Sequence, residues 1–221
     1  MTSAVGFDAG VILEITLRTL GVCLPALGIA VVIGLPLGIA LGRRRFPGHG
    51  ALVSVVNAGM GAPPVVVGLV GALLLWRHGP LGFLGLMYTT EAMVLVQVVI
   101  ALPFIVGITL ASVAALDPDW ELQVRTLGVP PPWRLWLLLR EIRLGLLAAV
   151  IAALGGVLSE VGAVLMVGGN LEGETRVLTT AIQQHTMMGE FEVAIGLAAT
   201  LVGLTLIVAA LLTAVQQSGR S

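Results

Sequence analysis

The chain contains no lysine: all 11 of its basic residues are arginine. A phosphate-binding loop of the GxxxxGK[ST] type needs its lysine, so these 221 residues hold no such ATP site. Schiff-base catalysis by lysine is excluded on the same ground. Cysteine is almost as scarce. The single Cys23 lies in an apolar run, which excludes an intrachain disulfide and most thiolate metal sites. Charged residues make up 10% of the chain, against about 25% in soluble domains. The net charge of −1 argues against a general nucleic-acid binder. Apolar residues fill the remainder, at 57% hydrophobic and a mean hydropathy of +1.06. So much apolar surface with so few charges is insoluble at this size, and an integral membrane protein is predicted. The 29 glycines and 11 prolines lie largely within apolar runs, where membrane helices tolerate and use both.

Five spanning helices are expected, at 17–41, 51–76, 92–116, 144–167 and 193–215. Each reaches the ~20 apolar residues that a bilayer core requires. The fold class is therefore all-α, a polytopic membrane bundle in one domain over 1–221. The N-terminal segment lacks a basic n-region and its apolar run is too long for a cleavable signal. Residues 7–18 carry Phe7, Val11, Ile12 and Ile15 beside Asp8, Glu14 and Arg18, a pattern expected of a short interfacial helix feeding the first span. One set of loops holds Arg43, Arg44, Arg45, Arg125, Arg134, Arg140, Arg143 and Arg220. The other ends hold Arg18, Arg77 and Arg176. The positive-inside rule then places the N-terminus outside and the C-terminus inside the cell. An odd span count without visible repeats argues against a secondary transporter built on internal inverted halves.

The spans are not inert. In the fourth, Gly145, Ala149, Ala152, Gly156, Ser159 and Ala163 fall on one helical face. Small residues there let another helix approach closely. Gly34, Gly38 and Gly42 repeat that spacing in the first span. Pro63 and Pro64 interrupt the second span and Pro103 the third, freeing backbone groups that need partners in protein or in a watery cavity. Asn57, Pro63, Pro64, Ser159, Glu160 and Gly162 are the candidates for a translocation path or gate. An intramembrane carboxylate is a site candidate by default. The alternative is a structural Glu160, protonated or paired with Arg176 or a helix end. With an anionic cargo, Glu160 is expected to hold the outer gate together and not to bind.

Between spans three and four, a loop at 117–143 opens with Asp117, Pro118, Asp119 and Glu121, which suit a helix start. Gly128 and the run Pro130, Pro131, Pro132 end it. A helix of about ten residues is expected, followed by Trp133 and Trp136 at the headgroup level. Gly168, Gly169 and Asn170 form an outer turn whose N–H groups either cradle an anion or simply close a helix. His78 and His185 have no ligand spacing, and no metal site is expected.

The stretch Arg125, Thr126, Leu127, Gly128, Val129 resembles the Glu-Ala-Ala…Gly loop of ABC importer permeases. Aligned on Gly128, the Glu-Ala-Ala positions hold Leu122, Gln123 and Val124. The acid stands one place early at Glu121. The run from Ser159 to Asn170 (SEVGAVLMVGGN), continued by Gly173 and TRVLTTAI over 175–182, looks like the permease of tungstate ABC importers, close to the molybdate permeases. PPVVVGL at 63–69, GPLG at 79–82 and REIR at 140–143 fit the same family. The resemblance spans about 15–215 and implies a type I importer permease in a prokaryotic cytoplasmic membrane. It implies a second permease copy and an ABC ATPase subunit that binds ATP and grips the loop carrying Asp117, Glu121, Arg125, Thr126, Leu127, Gly128 and Val129. It also implies an extracytoplasmic oxyanion-binding protein that delivers the anion to the outer mouth of Gly168, Gly169, Asn170 and Arg176, where Arg176 would meet that protein or the passing anion. This chain would hold no cofactor of its own. Molybdate or another oxyanion is the near alternative for the cargo. An ATP-independent transporter or channel and a non-transporting scaffold are the more distant readings.

Overall fold

The structure is a computed structural model and describes residues 9–218. Among these residues there are ten α-helices, one 3-10 turn at Gly82–Leu84, and no strand. Helix α1 runs unbroken over Ala9–Arg43. The expected interfacial segment is therefore not a separate helix: from Ala9 onward it is the first turns of α1, while Phe7 and Asp8 lie outside the described residues. No glycine or proline stands between Val11 and Leu20 to stop the helix, and Ile15 and Thr19 are buried beneath the C-terminal part of the chain. Thirty-five residues make a helix of about 52 Å, well beyond a bilayer core of about 30 Å.

The second expected span is two helices, α2 (His49–Met60) and α3 (Pro64–Leu75), bent by 102°. Gly61 ends the first, Pro63 is extended at φ −61° and ψ 120°, and Pro64 takes the first helical position of the second. A residue before proline is pushed out of the helical region, so the Ala62-Pro63-Pro64 sequence enforces the break. Helix α4 (Thr90–Ala114) passes through Pro103 intact. It starts where the Thr89 hydroxyl accepts from the Ala92 N–H at 3.3 Å.

Beyond α4 come α5 (Trp120–Thr126), α6 (Pro131–Glu141) and α7 (Arg143–Leu158). Then follow α8 (Gly162–Gly168), α9 (Leu178–Met187) and α10 (Phe191–Ser218). The fourth expected span is thus interrupted. It stops at Leu158 and resumes at Gly162, so the small-residue face is divided between α7 and α8, with Ser159 in the gap. The Ser159 hydroxyl donates back to the Gly155 and Gly156 carbonyls at 2.8 and 3.2 Å, a bonding mode that bends helices. Helices α1, α4 and α10 are long and apolar enough to cross a membrane alone. The pairs α2–α3 and α6–α7 qualify as bent units, which brings the crossings to five if each pair counts once.

Glycine sets the register of the two central helices. Cβ atoms at Gly34, Gly38 and Gly42 would come within 2.8, 2.7 and 2.6 Å of Ile105, Thr109 and Val113. Both helices advance by four residues per contact, so α1 and α4 run parallel, with α4 side chains filling the space that Cβ atoms would occupy. Helix α10 runs the same way: Val193 and Leu197 cluster with Ile15, whereas Val208 and Leu212 cluster with Leu27 and Ala30. Helix α7 returns in the opposite direction, from Ile142 beside Ile39 and Val113 to Val157 and Leu158 beside Cys23.

Candidate translocation path and coupling loop

The two helix breaks face one another across α4. A cavity of about 350 Å³ lies between them, lined by Pro63, Pro64, Pro103, Phe104, Ser159 and Glu160 among others. Four of the six path candidates therefore meet in one place. Glu160 is only 7% exposed. Its Oε1 accepts from the Ala163 N–H at 2.6 Å, and its carbonyl accepts from the Thr179 hydroxyl at 2.9 Å. The carboxylate thus closes the N-terminal end of α8, where free N–H groups favour an acceptor. Of the two expected pairings, the helix end is the one observed. Arg176 instead lies 3.5 Å from Glu172. Gly162 lines no part of the cavity; a Cβ there would come within 2.8 Å of Val65, so it serves the packing of α3 on α8. Asn57 is exposed on α2 and also lies outside the cavity. Phe104 carries no sequence signal, because nothing separates it from other apolar residues. Gln97 does carry one, as a glutamine in an apolar run, although it is absent from the expected site residues. It is buried and donates to the Val157 carbonyl at 3.4 Å, just before the α7 break.

The loop helix α5 is shorter than the ten residues expected and starts later. The Asp117 carboxylate accepts from the Asp119 N–H at 2.7 Å. This makes a turn ahead of the helix and leaves Pro118 outside it. Gly128 ends the segment with φ +70°, a backbone shape that suits glycine. Val124 is buried, whereas Leu122 and Leu127 are 64% and 79% exposed. The Thr126 hydroxyl bonds back to the Leu122 carbonyl at 2.8 Å, and the Val129 N–H reaches the Val124 carbonyl at 3.4 Å. Glu121 bridges Arg43 at 2.9 Å and Arg125 at 2.5 Å. The Arg43 guanidinium holds its carboxyl below the usual carboxylate range against an opposing desolvation, and Arg125 adds to the pull. The proline run does more than end α5, because Pro131 opens α6. On α6, exposed Trp133 and Trp136 meet edge to face at 5.9 Å, and the Arg140 guanidinium stands 5.4 Å over the Trp136 ring.

At the opposite end, the turn after α8 closes on itself. Gly169 (φ +71°) and Asn170 (φ +54°) take left-handed conformations, as at many helix C-termini. The Gly169 N–H bonds to Leu165 and the Leu171 N–H to the Thr175 hydroxyl, both at 2.9 Å. Thr175 in turn donates to the Gly168 carbonyl at 2.5 Å. Most of the expected anion cradle is therefore occupied by the turn's own bonds. Gly168 lies under Met93 and Gly169 against Tyr88, while the Asn170 amide donates to Gln184 at 2.7 Å. Arg18 donates to the Gly173 and Arg176 carbonyls at 2.7 and 3.3 Å, tying this loop to α1.

The described residues thus form a bundle with two broken spans beside a cavity and a short loop helix at one end. The sequence model described as "Binding-protein-dependent transport system inner membrane component" matches residues 34–220. The chain belongs to this family. It is a multi-pass inner-membrane permease subunit and not a catalytic one. The permease is 41% identical over 205 residues to a "Probable anion ABC transporter permease protein" of Haloferax volcanii, covering 90% of this chain and 88% of that protein. It is 35% identical over 192 residues to the "Tungstate uptake system permease protein TupB" of Peptoclostridium acidaminophilum, covering 87% and 84%. A more distant relative is the "Sulfate transport system permease protein CysW" of Synechocystis sp., at 30% identity over 177 residues, 77% of this chain and 64% of that protein.

Proposed function

We propose that the chain is the membrane subunit of an ATP-driven importer that passes an oxyanion, tungstate in the first instance, by alternating access. The observation that carries this reading is similarity to TupB along 87% of the chain. The similarity to CysW adds sulfate to molybdate as a competing cargo. ATP would be hydrolysed on a separate ABC subunit gripping the loop at 117–132, and this chain would contribute no cofactor. Exposed Leu122 on α5 and exposed Leu127 just after it suit such a contact. Glu121 does not, since it is engaged by Arg43 and Arg125 within the same chain. A second copy of the chain would complete the path across the exposed faces of α2 and α10, and Asn57 would act there.

The distribution of arginines supports an N-terminus outside and a C-terminus inside. The start of α1, the 171–176 loop and the start of α10 would then face an extracytoplasmic oxyanion-binding protein. An anionic cargo is repelled by an ionised carboxylate. Glu160 would accordingly hold α8 in place at the outer gate and leave anion contacts to backbone groups along the path.

Two measurements test the proposal. Co-purification with the cognate ABC ATPase should succeed for the wild-type chain and fail for Gly128→Asp, which forces a side chain onto a left-handed backbone at the loop. Transport by the wild-type chain alone, with no ATPase bound, would defeat the importer reading. Calorimetry on the partner binding protein should show tungstate bound more tightly than molybdate or sulfate. A preference for sulfate would reassign the cargo.

A further inference from the structure

A second recess lies outside the candidate path. It is a groove of about 750 Å³ at the arginine-rich end, between α1, α5 and α6. Its floor is aliphatic: Leu35 and Ile39 from α1 face Leu135 and Leu139 from α6. Its rim is charged, with Arg43, Arg44 and Arg125 against a single acid, Glu121. Glu121 is shared by Arg43 and Arg125, and the Arg44 guanidinium has no partner among the described residues. Three positive groups and one negative leave the rim with an excess of two positive charges.

The two halves are ordered along one axis. Leu35 and Arg43 are eight residues apart on α1, about 12 Å of helix, so the groove passes from hydrocarbon to charge over roughly the depth of one lipid's upper chain and headgroup. Exposed Trp133 and Trp136 on α6 mark the same level as an interface, where such rings concentrate. A soluble anion would use the arginines and leave the aliphatic floor wet. A zwitterionic lipid would bring its own cation to a rim that already has too many. An anionic amphiphile satisfies both halves, because arginine pairs with phosphate through two parallel hydrogen bonds.

We propose that this groove binds one anionic diacyl phospholipid, with its phosphate on Arg44 and Arg125 and an acyl chain along Leu35, Ile39 and Leu139. The lipid would thereby touch α5 itself through Arg125 and pack it against the ends of α1 and α6. The site is independent of which anion the permease carries.

The test is native mass spectrometry of the full chain purified in mild detergent, titrated with short-chain phosphatidylglycerol or phosphatidylcholine. One phosphatidylglycerol per chain is expected, bound about tenfold more tightly than phosphatidylcholine. Arg44→Gln should weaken it about fivefold, the effect of one basic residue near an anionic headgroup. Arg45→Gln, one residue away and outside the groove, should bind as the wild type does. Ala40→Trp, which fills the groove from an exposed position, should block binding while leaving all the arginines in place. Equal binding of the two lipids would overturn the proposal. So would equal losses in Arg44→Gln and Arg45→Gln, or undiminished binding in Ala40→Trp. Displacement of the lipid by inorganic phosphate alone would reassign the rim as a free-anion site. Exclusion of the lipid from the dimeric fraction would assign the groove to a second copy of the chain.

Discussion

Gly38→Ala tests how closely α1 packs on α4. A Cβ at position 38 would lie 2.7 Å from Thr109 Cβ, 2.8 Å from the Val106 carbonyl oxygen and 2.9 Å from Thr109 Cγ2. Carbon atoms settle at about 3.5–4.0 Å, so the shortfall is close to 1 Å. Neither neighbour can swing aside, since one is backbone and the other is the branch point of a fully buried side chain. The helices must separate, and overpacking of this kind costs about 1–3 kcal/mol. Alanine also gains up to about 1 kcal/mol of helix propensity over glycine, which would mask part of the loss. Gly28→Ala removes that ambiguity. It lies in the same helix, nothing stands within 4 Å of where its methyl group would sit, and it gains the same propensity. The difference between the two variants should therefore isolate packing, at about 1–3 kcal/mol. Denaturant-induced unfolding in detergent, followed by circular dichroism, measures it. If Gly38→Ala unfolds at the same midpoint as Gly28→Ala, the close parallel packing of α1 on α4 is wrong.

Two further outcomes follow from the capping carboxylate and the loop ion pair. Glu160→Gln retains an oxygen for the Ala163 N–H and should keep stability and uptake near wild type, whereas Glu160→Ala should lose about 1 kcal/mol in the same unfolding assay together with uptake. Equal behaviour of the two variants would remove the cap as the reason for an acid at this position. Glu121 binds its proton less readily folded than unfolded. Its contribution is thus present at neutral pH and lost as pH falls through the ordinary value of 4.5 and below. The stability gap between wild type and Glu121→Gln should be open at pH 7 and close on the acid side; a gap unchanged by acid would contradict the ion pairing with Arg43 and Arg125.

The apolar runs made the membrane class and the main crossings readable, because span length follows from bilayer thickness alone. Pro63 and Pro64 also announced the first break, since proline acts locally on its own backbone. The second break was hidden by a periodicity that continues through it: Gly156, Ser159 and Ala163 keep helical spacing although residues 159–161 are not helical. A carboxylate three residues before Ala163 was there to be read as a cap, but its position inside an apolar run drew attention to charge instead of to hydrogen bonding. The N-terminal segment misled for a different reason. Glu14 and Arg18 look like surface charges in sequence, yet the carbonyl partners of Arg18 lie 155 and 158 residues away. At the loop, Gly128 correctly marked the stop, while the engagement of Glu121 by Arg43 depends on the folded proximity of α1 and α5 and has no local signal.

Helix α1 holds something at each end. Arg18 grips the 171–176 loop, and Arg43 grips Glu121 on α5. The two anchor points are 25 residues apart, about 38 Å along one helix, and the glycine contacts with α4 oppose slippage between them. The molecule therefore has a tie-rod running from one membrane face to the other. It bypasses the broken helices. A pull on α5 that leaves the Arg43 pair intact has to be taken up as tension or tilt in α1, and is felt by the far loop without the cavity having changed shape first.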